Sequence, residues 1–178
     1  MQTPLIRPCE AADIDMIAGI YAHNVLHGTA SFETEPPDVP EMRRRRDDLL
    51  ARAMPYLVAC NGNTVLGYAY AGPYRPRAAY AETVENSVYL RNDAQGCGIG
   101  TILLAALIEE CTVRGRRQMI AVVGDSANTA SIRLHERAGF RSIGMLQAVG
   151  WKHGRWLNTV MLQRALGSGN DSPPHPRK

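Results

Sequence analysis

The chain has 178 residues and a formal net charge of +3. Its length fits one domain that can bury about two-thirds of its unfolded surface without disulfides. Nucleic-acid binding requires a concentrated basic stripe, and the one basic run, at residues 43–46, is followed directly by Asp47 and Asp48. We interpret that run as a solvated helix face and expect no nucleic-acid partner.

The four cysteines, Cys9, Cys60, Cys97 and Cys111, lie far apart and form no C-x-x-C pair. The chain shows no signal-peptide pattern and no long apolar segment. We therefore expect a reduced, cytoplasmic compartment with no membrane partner and no metal. Cys97 is the one cysteine that we expect to be solvent-accessible, either as a chance small residue or as a nucleophile.

The first half of the chain alternates strands with amphipathic helices. Repeated prolines at residues 36–40 predict an irregular stretch between the two helices. Asn61-Gly62-Asn63 is typical of a hairpin turn. Residues 10–13 give a cap-like entry to the first helix. We place the elements, from periodicity and capping signals, at residues 5–7 (strand), about 14–28 (helix), about 41–53 (helix), 56–60 (strand) and 64–71 (strand).

The second half contains a β-α-β unit, because a helix that ends at Gly115 leads into an apolar run typical of a buried central strand. Beyond residue 166 the apolar content is too low for packing, which predicts a domain over residues 1–166 and a disordered tail over 167–178. We place the elements at residues 82–90 (strand), 101–114 (helix), 118–123 (strand), about 128–137 (helix), 140–149 (strand) and 157–163 (strand). The fold class is α/β, with a mixed, mostly antiparallel sheet flanked by about four helices.

Residues 95–100 read Gln-Gly-Cys-Gly-Ile-Gly and directly precede a helix. Glycine permits positive φ and close backbone approach to a ligand. The first amides of a helix are unpaired and lie at its positive end, so this turn predicts a phosphate site. Thr101 stands where the dinucleotide fingerprint needs glycine, and the Lys-Ser/Thr pair of a P-loop is missing. A plain structural turn is the alternative.

The strand at residues 82–90 places Thr83, Glu85, Ser87 and Tyr89 on one face. An amine that is protonated has no lone pair, so it must lose a proton before it can attack a carbonyl carbon. A carboxylate in a shielded cleft can take that proton, particularly if burial raises its pKa. Glu85 is therefore our candidate base, and a solvent-facing strand residue is the alternative.

The strand, the Gln-Gly-x-Gly-Ile-Gly turn and the following helix resemble the coenzyme A signature of the GNAT acetyltransferases. The Asn128-x-x-Ser131 pattern before residues 134–140 is similar to the family's Asn…Leu-Tyr-Glu-Lys-x-Gly-Phe segment, with His135 where many members carry tyrosine. The order of elements looks like the GNAT fold over residues 4–165. The resemblance implies acetyl-CoA as cosubstrate.

A closer resemblance links residues 70–77, 83–90 and 150–156 to the phosphinothricin acetyltransferase branch, which includes relatives acting on methionine sulfone and methionine sulfoximine. It implies N-acetylation of the α-amine of a small polar amino acid, Glu85 as general base, and a homodimer. The substrate contacts that it implies are Arg75, Pro76, Arg77, Glu85, Asn86 and Ser87. The coenzyme A contacts that it implies are Val88, Tyr89, Leu90, Gln95, Gly96, Cys97, Gly98, Ile99, Gly100, Thr101, Asn128 and Ser131.

Two chemical roles follow from this resemblance. In many members the tyrosine matching His135 is thought to protonate the departing thiolate, and an imidazole can also give and take protons near neutral pH, so acid and base roles both stay open. A splayed strand end near residues 88–90 would free a backbone N–H for the thioester oxygen, an effect of about 3 kcal/mol.

Two other functions fit the same motifs. One is an acetyltransferase for a polyamine, an aminoglycoside or a protein N-terminus, although polycationic substrates favour acidic residues where Arg75 and Arg77 stand. The other is a non-catalytic CoA-binding module, which the presence of both Glu85 and His135 disfavours.

Overall fold

A computed structural model describes residues 3–174, in which seven strands form one sheet with four α-helices around it. The strands are β1 (Leu5–Pro8), β2 (Tyr56–Asn61), β3 (Thr64–Pro73), β4 (Thr83–Leu90), β5 (Gln118–Gly124), β6 (Arg141–Lys152) and β7 (Arg155–Ala165). The helices are α1 (Ile14–His27), α2 (Val39–Ala51), α3 (Ile99–Val113) and α4 (Thr129–Arg137). The strand order is β1-β2-β3-β4-β5-β7-β6, and the β4–β5 pair alone is parallel. The predicted fold class is confirmed.

The sheet is covered on both faces, and each face has its own apolar core. Helix α3 packs Leu103 and Leu107 against strand residues that include Val84. On the opposite face, α1 packs Ile17 against strand residues that include Tyr89. Because side chains alternate along a strand, neighbouring residues of β4 project toward different helices.

The parallel pair in the middle of the sheet is short. β4 and β5 pair only from Thr83 with Gln118 to Asn86 with Ala121. β4 nevertheless stays paired with β3 through Leu90, and β5 stays paired with β7 through Gly124. The two central strands therefore diverge after Asn86 and leave a fork in the sheet.

Two helix starts differ from the prediction. α2 begins at Val39 rather than Glu41, because the Asp38 side chain accepts a hydrogen bond from the Glu41 amide at 2.8 Å and caps the helix. Pro40 lies in the first turn, where a missing N–H breaks no helical hydrogen bond. α3 begins at Ile99 rather than Thr101, so the glycine turn runs directly into the helix.

The basic run of α2 is largely ion-paired. Arg44 contacts Glu41 and Asp48 at 2.7 Å, and Arg45 contacts Glu33 at 2.6 Å. The Arg46 side chain is only 13% exposed, so the predicted solvated face is correct for Arg44 and wrong for Arg46.

The proposed C-terminal tail lies partly outside the described residues, which end at 174. Leu166, the last residue of the proposed domain, is buried, and within the described part of the tail the Ser172 carbonyl oxygen accepts from Arg117 at 2.5 Å. The limits 1–166 and 167–178 stay a prediction. Over residues 3–174, no helix combines the length and the apolar character needed to cross a bilayer.

Candidate active site

A cavity of about 330 Å³ lies at the fork between β4 and β5. Strands β3, β4, β5 and β7, the segment between α1 and α2, and helix α4 all contribute to its wall. The lining residues are Ala30, Ser31, Phe32, Tyr70, Glu85, Asn86, Ser87, Val88, Tyr89, Ala121, Val122, Val123, Gly124, Asn128, Ser131, His135 and Thr159. The cavity therefore gathers both predicted catalytic residues, Glu85 and His135.

Glu85 is a partly buried carboxylate on the face of the sheet that α1 and α2 cover. Burial raises the pKa of Glu85, and the positive charge of Arg75 opposes that shift. A carboxylate with a raised pKa binds a proton more readily than an exposed one. Its setting therefore suits a group that accepts a proton.

The predicted substrate contacts after β3 are only partly brought to Glu85. Arg75, Pro76 and Arg77 are exposed, and none of them belongs to the cavity wall described above. The Arg75 guanidinium lies 5.1 Å from the centre of the Tyr74 ring. The positive charge of Arg75 lowers the pKa of Glu85, so this exposed cation acts on the carboxylate although it does not line the cavity.

His135 is 5% exposed and has a defined tautomer. Its Nδ1 lies 2.8 Å from the Ser131 carbonyl oxygen, which can only accept, so Nδ1 carries the proton. In the neutral ring Nε2 then has a lone pair, which accepts a hydrogen bond from Asn86 Nδ2 at 2.9 Å. Burial lowers the pKa of His135, which favours this neutral form.

Glu85 and His135 line the cavity from opposite faces of the sheet. Asn86, the partner of His135, follows Glu85 in β4 and projects toward the face that α3 covers, as Val84 does. Since the strands separate after Asn86, the cavity passes through the plane of the sheet. The predicted substrate contact Asn86 thus has its amide bonded to His135.

The glycine turn presents a row of unused amides. Gly96 and Gly98 have φ angles of +73° and +80°, and a Cβ added to either would meet no atom within 4 Å. Within residues 3–174, the N–H groups of residues 96–100 have no backbone or side-chain acceptor. Unpaired amides at the start of a helix fit a diphosphate. Cys97 is exposed in this turn, as predicted.

The backbone of β4 offers further groups inside the fork. The Glu82 carbonyl oxygen accepts from the Gln118 amide, so even-numbered residues here direct their N–H and C=O toward β5. Val88 therefore points both groups into the opening, and Leu90 points its N–H there, while the Leu90 carbonyl oxygen accepts from Asn24 Nδ2 at 3.4 Å. Tyr89 directs its backbone toward β3, and its ring is buried edge-on against Tyr21.

Helix α4 brings two predicted coenzyme contacts to the cavity wall. Asn128 caps the helix, and its Oδ1 accepts from the Ser131 amide at 3.2 Å. That contact leaves Nδ2 of Asn128 as the donor that a ligand could use. The Ser131 carbonyl oxygen accepts from His135 Nδ1 and orients that ring, so Ser131 also has a structural role.

The wall formed by residues 30–32 was missed by sequence reasoning. Phe32 packs against Gly124 and Gly150, where an added Cβ would overlap its ring. Lys152 is 4% exposed and donates from Nζ to the Ser31 carbonyl oxygen at 2.7 Å. Gly150 and Lys152 precede a hairpin turn, and nothing in their local pattern indicates a contact with the segment after α1.

Comparison with known proteins places this geometry in a family. The model of the acetyltransferase (GNAT) family matches residues 21–140. The chain is 50% identical over 169 residues to the phosphinothricin N-acetyltransferase of Alcaligenes faecalis, covering 95% of this chain and 86% of that protein. It is 39% identical to the L-methionine sulfoximine/L-methionine sulfone acetyltransferase of Pseudomonas aeruginosa, covering 94% of this chain and 98% of that protein.

A solved structure agrees with these relatives. The phosphinothricin acetyltransferase of Sinorhizobium meliloti, crystallised in complex with AcCoA, superposes with a TM-score of 0.95 at 44% identity. The match covers 98% of this chain and 94% of that chain. The fork, the glycine turn and these similarities lead to one conclusion: the chain belongs to the acetyltransferase (GNAT) family.

Proposed function

We propose that this protein is an acetyl-CoA-dependent N-acetyltransferase that acetylates the α-amine of a small polar amino acid, such as L-phosphinothricin, methionine sulfone or methionine sulfoximine. The observation that carries the proposal is the Glu85 carboxylate, partly buried at the fork with its pKa raised by burial. The names of the similar proteins support the same substrate class.

The residues around the fork fit acetyl-CoA. The free amides of residues 96–100 would hold its diphosphate, and the β4 backbone at Val88 and Leu90 would hold its pantetheine arm. Asn128 Nδ2 is a further donor beside the cavity. The cosubstrate supplies an acetyl group as a thioester.

Glu85 prepares the acceptor for attack. Its carboxylate takes a proton from the ammonium group, which gives the nitrogen its lone pair. Arg75 lies on the same side and offers a planar guanidinium to the α-carboxylate of the amino acid. The two side chains together orient an acceptor that carries both an ammonium and a carboxylate.

The Val88 N–H is the donor that we assign to the thioester oxygen. It points into the fork, where no strand competes for it, so it needs no reorganisation as negative charge develops. A donor of this kind stabilises the transition state by about 3 kcal/mol.

A panel of amines tests the proposed function. Thiol release from acetyl-CoA is measured with L-phosphinothricin, methionine sulfone and methionine sulfoximine, and with spermidine, an aminoglycoside and a peptide N-terminus. We expect turnover with the amino acids. Turnover with spermidine but not with methionine sulfone would overturn the substrate class, and acetyl-CoA binding without turnover on any amine would overturn catalysis.

We also propose that two copies associate through the outer surface of β6 and β7. β6 is an edge strand, and large apolar side chains on this hairpin are 46–62% exposed: Ile143, Met145, Leu146, Val149, Trp151 and Trp156. Contiguous exposed apolar surface favours association. A second copy covers this surface and the open strand edge together.

Light scattering coupled to size-exclusion chromatography tests the dimer. We expect the wild-type protein to elute as a dimer and Ile143→Glu to elute as a monomer, because a buried unpaired carboxylate opposes the contact. Val113→Glu is the matched control, since Val113 is 76% exposed at the end of α3. A wild-type monomer, or a dimer that survives Ile143→Glu, contradicts the proposed interface.

We propose a reduced, cytoplasmic location for the enzyme. All four cysteines are free thiols, and Cys9, Cys60 and Cys111 are buried. Buried free thiols are consistent with a compartment in which disulfides do not form.

A further inference from the structure

The observed hydrogen bond between Asn86 and His135 fits only the neutral form of the imidazole ring. Nδ1 of His135 is committed to the Ser131 carbonyl oxygen, so Nε2 is the nitrogen that can change. Asn86 Nδ2 donates to Nε2 at 2.9 Å while the ring is neutral. If Nε2 gains a proton, two donors face each other and this hydrogen bond is lost.

The carbonyl oxygen of the same side-chain amide makes no hydrogen bond. Asn86 is 6% exposed, and its Oδ1 is buried with no hydrogen-bond partner among the described residues. Buried polar atoms in folded proteins almost always have a partner. The strand neighbours of Asn86 are Ala71 and Ala121, whose side chains offer no donor. Oδ1 of Asn86 is therefore an unused acceptor on the same amide group that contacts Nε2 of His135.

We propose that Asn86 is a positioning residue that allows His135 to hold and release a proton inside the fork. While the ring is neutral, Nδ2–H of Asn86 donates to Nε2. When Nε2 takes a proton, the amide turns over about its last side-chain bond, and Oδ1 accepts from Nε2–H. The ring gains one proton and one positive charge and returns both when the proton leaves, and no covalent bond of Asn86 changes.

The surroundings of His135 leave this amide as its principal polar partner at Nε2. On α4, the charged neighbours Arg133 and Glu136 are exposed. β5 carries no titratable residue, and Phe140 meets the ring edge-on at 5.1 Å. The other titratable groups that line the cavity are Glu85, Tyr70 and Tyr89, whose strand positions share the opposite face. The response of the ring to pH therefore depends on the Asn86 amide.

Nuclear magnetic resonance of the ¹⁵N-labelled free protein tests the inference without turnover. Long-range ¹H–¹⁵N spectra report which ring nitrogen carries the proton, and His135→Gln identifies the signals among the five histidines. We expect the Nδ1–H tautomer at high pH. Asn86→Leu, which can neither donate nor accept, should lower the titration midpoint of His135 by about one unit, a tenfold loss of proton affinity. Asn86→Asp, a permanent acceptor, should raise it by at least as much.

A midpoint within about 0.3 unit of wild type in both variants overturns the inference, as does an Nε2–H tautomer in the wild-type protein at high pH. If Asn86→Leu does not fold, the Asn86→Asp shift decides alone. The inference rests on the proposed function only for its use in catalysis. If the Asn86 variants shift the titration midpoint of His135 but the protein does not acetylate amino acids, the proposed function is overturned and the role of Asn86 stands. If the protein acetylates amino acids and the midpoint does not shift, the proposed function stands and the role of Asn86 is overturned.

Discussion

Glu85→Gln is expected to lower kcat/KM for the acceptor amino acid by about 100-fold or more at pH 7, the range that removal of a general base produces. Glutamine fills nearly the same space in the fork but cannot take a proton from the ammonium. Steady-state kinetics with L-phosphinothricin or methionine sulfone measures the loss. Glu109→Gln, at an exposed position of α3, is the control and should keep wild-type kinetics.

The pH dependence of that loss has a definite sign. Because burial raises the pKa of Glu85, the wild-type rate should fall as the pH drops through a value above the usual carboxyl range. The Gln variant lacks this group, so its rate should depend on the free amine and approach the wild-type rate at high pH. An identical pH profile in both proteins would remove Glu85 from the mechanism.

Thermal stability separates this loss from misfolding. A carboxyl whose folded-state pKa is raised favours folding while it is protonated, and that contribution is lost as the pH rises through the folded pKa. Above that pH the ionised Glu85 opposes folding, which glutamine avoids. The Tm of Glu85→Gln near neutral pH should therefore be no lower than that of the wild type.

Gly98→Ala is expected to weaken coenzyme A binding about tenfold or more, which is about 1.4 kcal/mol. Gly98 has a φ of +80°, which an L-residue adopts at a cost of about 1–2 kcal/mol. The added methyl group meets no protein atom within 4 Å. The substitution should therefore act by changing the backbone conformation that orients the amides and by filling the space in front of them. Calorimetry with coenzyme A measures the affinity.

Gly115→Ala provides a matched control for backbone strain. Gly115 lies just after the other end of α3, has a φ of +77°, and also has open space around its Cβ position. Both variants should lose similar stability in thermal melts, and only Gly98→Ala should lose affinity. Equal coenzyme A affinities in the two variants would show that the diphosphate does not bind at this turn.

Features governed by near neighbours were predictable. The glycine turn was correctly placed at the start of a helix, although its last two residues, Ile99 and Gly100, belong to α3, and the alternation of β4 correctly put Glu85 and Asn86 on different faces. The start of α2 was wrong by two residues because Asp38 caps the helix ahead of Pro40. That error came from treating proline as a helix breaker at a position where its missing N–H does no harm.

Features that join distant parts of the chain needed the structure. Asn86 and His135 are 49 residues apart, and their hydrogen bond could not be inferred from either local pattern. Lys152 and Ser31 are 121 residues apart, and the resemblance carried by residues 150–156 does not indicate a contact with Ser31. Periodicity reports which face a residue takes, but it carries no information about what lies opposite.

The amino-acid sequence by itself determined the glycine turn and the face on which Glu85 lies, because φ freedom and strand alternation depend on adjacent residues alone. The tertiary structure decided where the β4–β5 pairing stops, since that depends on how two separate strands pair with their outer neighbours β3 and β7. It also decided that Glu85 and His135 meet one cavity from opposite faces, because the fork opens the sheet between them.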